Sequence, residues 1–451
     1  MREGGLEAPE RQNLDWQNPE FFDADKIDAE LRRVFDVCHG CRLCFNLCDS
    51  FPRLFDLIDE SDTGELDSVD SAGFQPVVDA CTLCDMCFMA TCPYTPPHEF
   101  EIDFPHLMLR HRAARHRRNG TPFVDRQLTA VDRNGALASA VPGAAGLANW
   151  VTKRDNSTTR PVLESLAGID VQAELPRYHA KTFVKQAKTD GLRPNAAAPA
   201  HGRKAVLYAT CFTNYNNPAI GEAARTVLAH NGVDTAVAHP TCCGMPQLEH
   251  GDLEAVADRA RTVAAAMAPW LDDGRDVIAL TPSCALMLKF EWPGLLPDDA
   301  AVKRLAEATY DITEYVVDIA DRQGLADGLK PLDGRVSLHL ACHARAQNMG
   351  AKAAEMLRLV PDAEIDIIER CSGHGGSWGV KKEFFDVALK VGRAAARKAL
   401  EAENRYVVSE CPLAGAHILQ GMERLAKDDS GPIPESTYHP IELFAKAYGL
   451  N

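Results

Sequence analysis

Short apolar runs alternate with longer amphipathic stretches in the carboxy-terminal half of the chain. "AVLYA" (205–209), "DTAVAH" (234–239) and "DVIAL" (276–280) have the length and composition of buried strands. Between the first two, "AIGEAARTVLAHNG" (219–232) repeats apolar residues at helical spacing and ends in Gly232, a residue type that often stops a helix. Strands separated by helices predict a parallel sheet with crossover helices, which is an α/β fold.

This pattern occurs twice. Four segments recur in the same order 127 to 131 positions later: "KAVLYATC" and "RVSLHLAC", "HPTCCG" and "IERCSG", "VIALTPSCAL" and "YVVSECPLAG", and "DITEYVVDIA" and "HPIELFAKAY". Four matches with a nearly constant offset are not expected by chance, so we predict a tandem duplication. The first repeat spans 204–330 and the second spans 331–451.

Cysteines follow the predicted strands in both repeats. They are Cys211, Cys242, Cys243 and Cys284 in the first repeat, and Cys342, Cys371 and Cys411 in the second. Parallel strands end at one edge of their sheet, where ligand sites of open α/β folds form. The pattern therefore predicts a thiol-lined cofactor site at that edge, whereas cysteines with only a packing role would be scattered through strand interiors.

The remaining sequence divides into a connector and an amino-terminal region. Residues 131–203 contain "VPGAAG", "RDNSTTRP" and "GLRPNAAAPAHG", whose Pro, Gly and Ala content is typical of a connector. In the amino-terminal region, residues 54–109 contain no Lys or Arg, and "RHRAARHRRNG" (110–120) follows directly. The basic run is either a solvated helix face or a docking surface for anionic lipid or an acidic partner.

Composition limits the class of protein. A length of 451 residues suggests about three domains, and a net charge of −16 argues against a nucleic-acid-binding protein. No segment has the ~18 uncharged apolar residues of a membrane span, and the best candidate, 135–151, is interrupted by Pro142. The first twenty residues lack the apolar core of a signal peptide. We expect a cytoplasmic, reducing location, where structural disulfides are rare.

Two dense cysteine runs dominate the amino-terminal region. The first, C-x2-C-x2-C-x3-C, holds Cys38, Cys41, Cys44 and Cys48; the second, C-x2-C-x2-C-x4-C-P, holds Cys81, Cys84, Cys87 and Cys92. In two-cluster ferredoxins the fourth cysteine of each run ligates the other cluster. This logic assigns Cys38, Cys41, Cys44 and Cys92 to one 4Fe–4S cluster, and Cys81, Cys84, Cys87 and Cys48 to a second.

Zinc and disulfides are the competing interpretations. Zinc sites commonly use two C-x2-C pairs, and the third cysteine of each run is more than a tetrahedral zinc site needs. Fifteen cysteines are an odd number, which does not suit a disulfide framework. Asp49 follows Cys48 where bacterial ferredoxins have proline, and the gap from Cys87 to Cys92 is one residue longer than in their pattern. The spacing favours iron–sulfur clusters, with a different local loop geometry.

Taken together, these features resemble a known family of iron–sulfur proteins. It joins a dicluster ferredoxin module to two cysteine-rich CCG repeats and includes heterodisulfide reductase-related proteins and the iron–sulfur components of anaerobic glycerol-3-phosphate dehydrogenases. The resemblance rests on the two cysteine runs, "LPRYHAKTF" (175–183), "CCG" (242–244) and "CSGHGGSWGVKKE" (371–383). It implies an α-helical ferredoxin-type domain over 1–130, a connector over 131–203, and α/β cysteine-rich repeats over 204–330 and 331–451.

The repeats depart from the full family pattern of C…CC…CxxC. The first has no second cysteine three residues from Cys284, and the second has Ser372 where the paired cysteine belongs. Neither repeat supplies the five thiolates of the non-cubane cluster that the resemblance implies for heterodisulfide reductases. Four cysteines in the first repeat are enough for an ordinary 4Fe–4S cluster. The second repeat has three, with His343 or His374 as a candidate fourth ligand, or it has lost its metal and only binds a partner.

Two functions follow from this resemblance. In the first, the chain is an electron-transfer subunit that relays electrons from a flavoprotein dehydrogenase or another redox protein to a quinone or a soluble acceptor, with peripheral membrane contact as one arrangement. In the second, it is a thiol-type or heterodisulfide reductase, or the electron donor to a peroxide-scavenging, rubrerythrin-like partner. The sequence has no evident flavin or nicotinamide motif, so hydride chemistry is expected in a partner.

Overall fold

The computed structural model describes residues 8–189, 191–426, 431 and 433–450. The amino-terminal region is helical, because apolar residues recur at helical spacing between capped ends; in α1 they are the buried Ile27, Leu31, Val34 and Phe35. Asp23 caps α1 by accepting from the Lys26 amide, and Asp103 caps α4 through the His106 amide. The helices of this region are α1 (Ala24–Cys41), α2 (Ser50–Asp59), α3 (Phe74–Ala80), α4 (Phe104–Asn119) and α5 (Phe123–Leu128).

The predicted connector is helical and packs on the rest of the chain. Its helices are α6 (Val131–Ala138), α7 (Ala144–Thr152), α8 (Arg160–Ala167) and α9 (Phe183–Ala187). The Pro and Gly residues that suggested an irregular linker lie where these short helices begin or end: Gly143 at the start of α7, and Gly168 after α8. The segment is therefore a structured part of the protein.

The first repeat contains a four-stranded parallel sheet in the order β2-β1-β3-β4. Its elements are β1 (Lys204–Tyr208), α10 (Pro218–His230), β2 (Asp234–Ala238), α11 (Met245–Glu249), α12 (Leu253–Asp272), β3 (Asp276–Ala279), α13 (Pro282–Leu286), α14 (Trp292–Leu295), α15 (Ala300–Glu307), β4 (Thr309–Asp311) and α16 (Ile312–Arg322). The three predicted strands are β1, β2 and β3. The pattern missed β4, because three residues are too few to show strand periodicity.

The second repeat has the same order with one strand fewer, β6-β5-β7. Its elements are β5 (Val336–His339), α17 (Cys342–Arg345), α18 (Lys352–Arg358), β6 (Ile365–Ile368), α19 (Phe385–Glu401), β7 (Tyr406–Ser409), α20 (Pro412–Leu425) and α21 (Pro440–Tyr448). A single parallel bridge between Val408 and Tyr438 stands where the first repeat has β4. The internal duplication is thus visible in the topology.

The helices that close the two repeats begin in the same way. In α16, the Asp311 side chain caps the helix while Glu314 bonds back to the Asp311 amide; in α21, His439 and Glu442 form the equivalent pair. Glu314 and Glu442 are the residues that the sequence comparison aligned.

Two large apolar clusters hold the molecule together. One joins the amino-terminal helices to the first repeat, from Phe35 and Phe51 to Val256 and Trp292. The other runs through both sheets and includes Leu207 and Leu338. The three regions therefore share cores. None of the helices in the described residues combines the length and apolar character needed to span a bilayer.

Candidate functional site

The first group of thiols lies at the end of α1. Cys38 and Cys41 are three residues apart on this helix, and a left-handed Arg42 (φ 53°) turns the chain towards Cys44. Burial, followed by the nearby thiols of Cys92, Cys44 and Cys41, raises the pKa of Cys38 well above its ordinary value. The structure therefore brings together the four cysteines that the interleaved pattern assigned to one cluster.

The second group contains Cys48, Cys81, Cys84 and Cys87. Two left-handed residues, Leu83 (φ 50°) and Asp85 (φ 64°), make the tight turns that bring these thiols close. Burial raises the pKa of Cys48, with Cys84 and Cys81 as further causes, and the pKa of Cys87 is raised by burial and by Cys84, Cys81, Cys44 and Cys48 in that order. Because Cys44 belongs to the first group, the two groups adjoin.

The chemistry of these donors fits a 4Fe–4S cluster in each group. Several buried thiols that raise one another's pKa can be held as thiolates only where a cationic centre balances their charge. Cysteine sulfur is the ligand that such clusters take, and each iron takes one thiolate. No three His, Cys, Asp or Glu side chains of the described residues are arranged to hold a single metal ion.

Two arginines that sequence patterns did not single out fix the loop of the second run. Arg112 is buried and donates to the carbonyls of Val78 (2.5 Å), Cys81 and Glu249 (3.1 Å). It therefore ties this loop to α11 of the first repeat.

Arg11 is the other arginine. It pairs with Asp85 (2.7 Å), Asp103 (2.9 Å) and Glu291 (3.1 Å), which joins the amino-terminal arm, the second cysteine run and the first repeat. Removing one partner of such a buried ion group is expected to be strongly destabilising.

The basic run at 110–120 is mostly used inside the protein. Arg110 donates to the Phe21 carbonyl (2.7 Å), Arg112 is buried as described, and Arg115 pairs with Asp79 (2.8 Å). Arg117 and Arg118 are exposed. A docking role for the whole run is therefore disfavoured, because a sequence pattern cannot distinguish cations that face solvent from those that bind carbonyls.

Four thiols of the first repeat lie in direct contact at the carboxyl edge of its sheet. The Cys284 thiol donates to the Cys243 sulfur at 3.2 Å. Hydrogen bonds from the Cys211 and Cys243 thiols lower the pKa of Cys242 well below its ordinary value and raise their own. In the "CCG" turn, Gly244 has φ +86°, and its amide donates to the Cys242 sulfur at 3.5 Å.

The residues around these thiols come from several elements. Trp292 Nε1 donates to the Cys243 carbonyl at 3.1 Å, and the Tyr208 hydroxyl donates to the Thr241 carbonyl at 2.6 Å. From α6 of the connector, Asp132 accepts from the Cys242 amide (2.5 Å) and contacts His239 Nε2 (2.9 Å). Burial raises the pKa of Asp132, but bonds from His239 and the Cys242 amide outweigh it and lower the value.

The second repeat brings its three cysteines together in a different setting. Burial raises the pKa of Cys342 well above its ordinary value, with Cys84, Cys371 and Cys411 as further causes. Cys371 is the one exposed residue among the fifteen cysteines, all of which are described. The Gly373 amide donates to its sulfur at 3.3 Å. Ser372 occupies the position of Cys243, so the thiol pair of the first repeat has no equivalent here.

The two candidate histidine ligands differ in their contacts. His343 uses both ring nitrogens: Nδ1 contacts the Ser283 hydroxyl at 2.8 Å, and Nε2 contacts the Leu83 carbonyl at 3.3 Å. His374 is within the core, where burial and then His417 lower its pKa to about 3, and its Nε2 has no hydrogen-bond partner. A neutral imidazole with a spare nitrogen suits metal ligation, so His374 is the better candidate.

The four thiol groups form one series through the molecule. The first and second groups meet where Cys44 affects Cys87. The second group meets the second repeat where Cys371 helps to raise the pKa of Cys84, after burial. The second repeat meets the first where Cys284 is the last of several contributors to the raised pKa of Cys411. Sequence spacing had not indicated that the second repeat lies between the amino-terminal groups and the first repeat.

Comparison with known proteins agrees with this arrangement. The cysteine-rich domain called CCG matches residues 205–289 and 336–418. The chain belongs to the CCG cysteine-rich-domain family. It is 29% identical over 262 residues to the C component of the anaerobic glycerol-3-phosphate dehydrogenase of Escherichia coli strain K12, which covers 56% of this chain and 63% of that protein. The match thus spans less than two thirds of this relative.

Two further relatives of this CCG protein come from other organisms. An uncharacterized iron–sulfur protein of Methanocaldococcus jannaschii is 27% identical over 253 residues, which cover 55% of this chain and 48% of that protein. Lactate utilization protein A of Geobacillus kaustophilus is 30% identical over 189 residues, covering 40% of this chain and 75% of that protein. The CCG domains and these relatives support iron–sulfur cluster binding and an electron-transfer role in an oxidoreductase.

Proposed function

We propose that this CCG protein is the electron-transfer subunit of an oxidoreductase complex, in which it relays electrons from a flavoprotein dehydrogenase to a quinone or another acceptor. The observation that carries the proposal is the series of four adjoining thiol groups, from the loop after α1 to the edge of the first sheet. Adjoining clusters allow electrons to pass without a diffusing carrier. The resemblance to a component of a dehydrogenase supports a partner that performs the substrate chemistry.

The proposed ligands follow the observed groups. Cys38, Cys41, Cys44 and Cys92 hold one 4Fe–4S cluster, and Cys81, Cys84, Cys87 and Cys48 hold the second. Cys211, Cys242, Cys243 and Cys284 hold a further iron–sulfur cluster in the first repeat, because four contacting thiols are a complete ligand set. Cys342, Cys371 and Cys411 line a cofactor site in the second repeat, with His374 as the fourth donor.

Iron and acid-labile sulfide, measured per chain on anaerobically purified protein, test this assignment. About eight irons mean the two amino-terminal clusters alone, about twelve add the first repeat, and about sixteen add both repeats, since each cluster holds four irons. Eight irons would contradict a cluster in the first repeat. The relay itself is tested by mixing the chain with candidate substrates: oxidation of glycerol phosphate or a hydroxy acid by the purified chain alone would contradict it.

A second candidate function is thiol chemistry at the first repeat. The lowered pKa of Cys242, caused by bonds from Cys211 and Cys243, is the observation that favours it. In this function, two electrons and two protons convert a substrate disulfide into two thiols, and the amino-terminal clusters supply the electrons. Electron supply to a rubrerythrin-like partner is a variant. Turnover of a disulfide by chain that contains only about eight irons would favour this function over the relay.

A further inference from the structure

The connector contains a helical hairpin without charged side chains. Residues 134–152 include no Asp, Glu, Lys, Arg or His, and they form most of α6, the turn after it and α7. The hairpin is too short and too interrupted to cross a bilayer. Its function must therefore be judged from the surface that it presents.

One side of this hairpin exposes large apolar residues. Leu137 is 63% exposed, Val141 60%, Leu147 63% and Trp150 55%. They are four of the thirteen exposed large hydrophobic side chains in the described residues, and they fall within fourteen positions. Because Leu147 and Trp150 are three residues apart on α7, they share one face. Contiguous exposed apolar surface of this kind marks an interaction site.

The opposite side of the hairpin is fixed to the protein. Asp132 bonds to the Cys242 loop, and a side chain at Gly135 would clash with the Tyr215 ring. Asn149 exchanges two hydrogen bonds with the Tyr178 backbone, at 2.7 and 2.9 Å. The Ser139 carbonyl accepts from Lys185 at 3.0 Å. The apolar face is therefore held outward by a docked inner face.

The charge around this face is the opposite of the charge of the whole chain. The protein has a net charge of −16, but residues 117–160 contain seven Lys or Arg and three Asp or Glu. Six of these cations are exposed: Arg117, Arg118, Arg126, Arg133, Lys153 and Arg154. Asp155 is the one exposed acid among the three. An apolar face with a tryptophan and basic flanks suits an anionic lipid surface.

A second copy of the chain is a poorer occupant. Symmetric pairing of this face would bring the same exposed cations together, which like-charge repulsion opposes. A phospholipid bilayer instead offers anionic headgroups to the cations and acyl chains to Leu147 and Trp150.

We propose that the hairpin of residues 131–152, here called the docking hairpin, binds in the interface of a bilayer that contains anionic phospholipid. This inference deepens the proposed function and rests on it for its consequence: Asp132 joins the docking hairpin to the "CCG" loop, so the first repeat is the end of the relay that faces the membrane. A lipid-soluble quinone is then the acceptor that this end reaches.

Sedimentation of the full, cluster-loaded chain with vesicles tests the docking hairpin. The vesicles are phosphatidylcholine alone and phosphatidylcholine mixed with phosphatidylglycerol. The mixed vesicles are expected to bind the chain more tightly, and added salt is expected to weaken binding because it screens the exposed cations. No binding of the wild-type chain to the mixed vesicles would overturn the inference.

Matched variants locate the binding surface. The double change Leu147→Gln and Trp150→Gln is expected to weaken binding at least about tenfold, since two apolar side chains no longer enter the interface. The control, Phe290→Gln with Leu359→Gln, changes two exposed apolar residues outside the docking hairpin and is expected to bind as wild type. Equal weakening by both pairs would overturn the inference, as would a wild-type dimer that only the hairpin variant converts to a monomer.

The outcome is separable from that of the proposed function. Iron and sulfide content of the same preparations reports on the clusters, whatever the vesicles bind. A chain that holds all its clusters but ignores vesicles would contradict the docking hairpin and leave the relay intact.

Discussion

The two CCG repeats share a topology but not a site. In the first repeat, four thiols touch one another, and Asp132 and Trp292 bond to the backbone of the paired cysteines. In the second, Ser372 replaces one of the pair and Cys371 is exposed. The difference shows that duplication preserves a scaffold, because the apolar core depends on strand and helix spacing. The site depends on single side chains and can change without disturbing that core.

The largest expected difference is in cofactor content. Cys243→Ser removes a thiol that contacts two others, so the chain is expected to lose about four irons while the electron paramagnetic resonance signals of the amino-terminal clusters remain. Cys371→Ser, the matched change in the second repeat, is expected to remove less iron, because its ligand set has only three thiols. Equal losses from both variants would contradict the proposed difference between the repeats.

The reverse change tests whether the second repeat lacks only one ligand. Ser372→Cys restores the thiol pair in a nearly buried position, and we expect iron content to rise by up to about four per chain. Iron analysis and resonance spectra check this, with Ser377→Cys, a nearby serine of the same loop, as the control. An unchanged iron content would mean that the backbone of this loop, and not the missing sulfur, excludes a cluster.

The glycines that follow the paired positions differ in the space around them. At Gly373 (φ +77°), a Cβ would clash with the Ala388 carbonyl oxygen and lie 2.8 Å from the Gly392 nitrogen; at Gly244 (φ +86°), the nearest atom is Arg259 Cδ at 3.2 Å. Gly373→Ala is therefore expected to lower the free energy of unfolding by about 3 kcal/mol or more, from strain and overlap together.

Gly244→Ala serves as the comparison, at about 1–2 kcal/mol from backbone strain alone. Denaturant unfolding of both variants measures the two losses. Similar values would show that the loop of the second repeat can move away from α19, contrary to the close packing described here.

The smallest effect is expected from a buried carboxyl group between the repeats. Glu249 ends α11 and faces Gly376 of the second repeat, and burial raises its pKa to about 7, against smaller lowering effects of Arg112 and Lys381. A carboxyl group whose pKa is raised by folding makes the folded state less stable as pH rises from its unfolded value of about 4.3 towards 7. Glu249→Gln is expected to remove this loss.

Unfolding measured between pH 4 and 8 checks this effect. Glu254→Gln alters an exposed carboxylate of the neighbouring helix α12 and provides the control. A wild-type chain whose stability does not fall over this range relative to Glu249→Gln would show that Glu249 is ionised in the folded protein.

Much of the fold was predictable because its signals are local. The apolar runs of β1, β2 and β3 and the constant offset between the repeats are properties of neighbouring residues. Short elements were missed: β4 has three residues, and the helices of the connector are separated by the same Pro and Gly residues that suggested an irregular chain. Sequence periodicity needs more residues than these elements contain.

The sequence by itself determined which residues carry the chemistry of this protein: the interleaved cysteine runs, the cysteines after each strand, and the absence of one thiol at Ser372. Covalent spacing fixes such features before the chain folds. Only the tertiary structure decided which groups adjoin, that His343 is occupied by hydrogen bonds while His374 is not, and that Asp132, Arg112 and Arg11 hold the site loops. These contacts join residues up to 280 positions apart, and packing of separate elements alone brings them together.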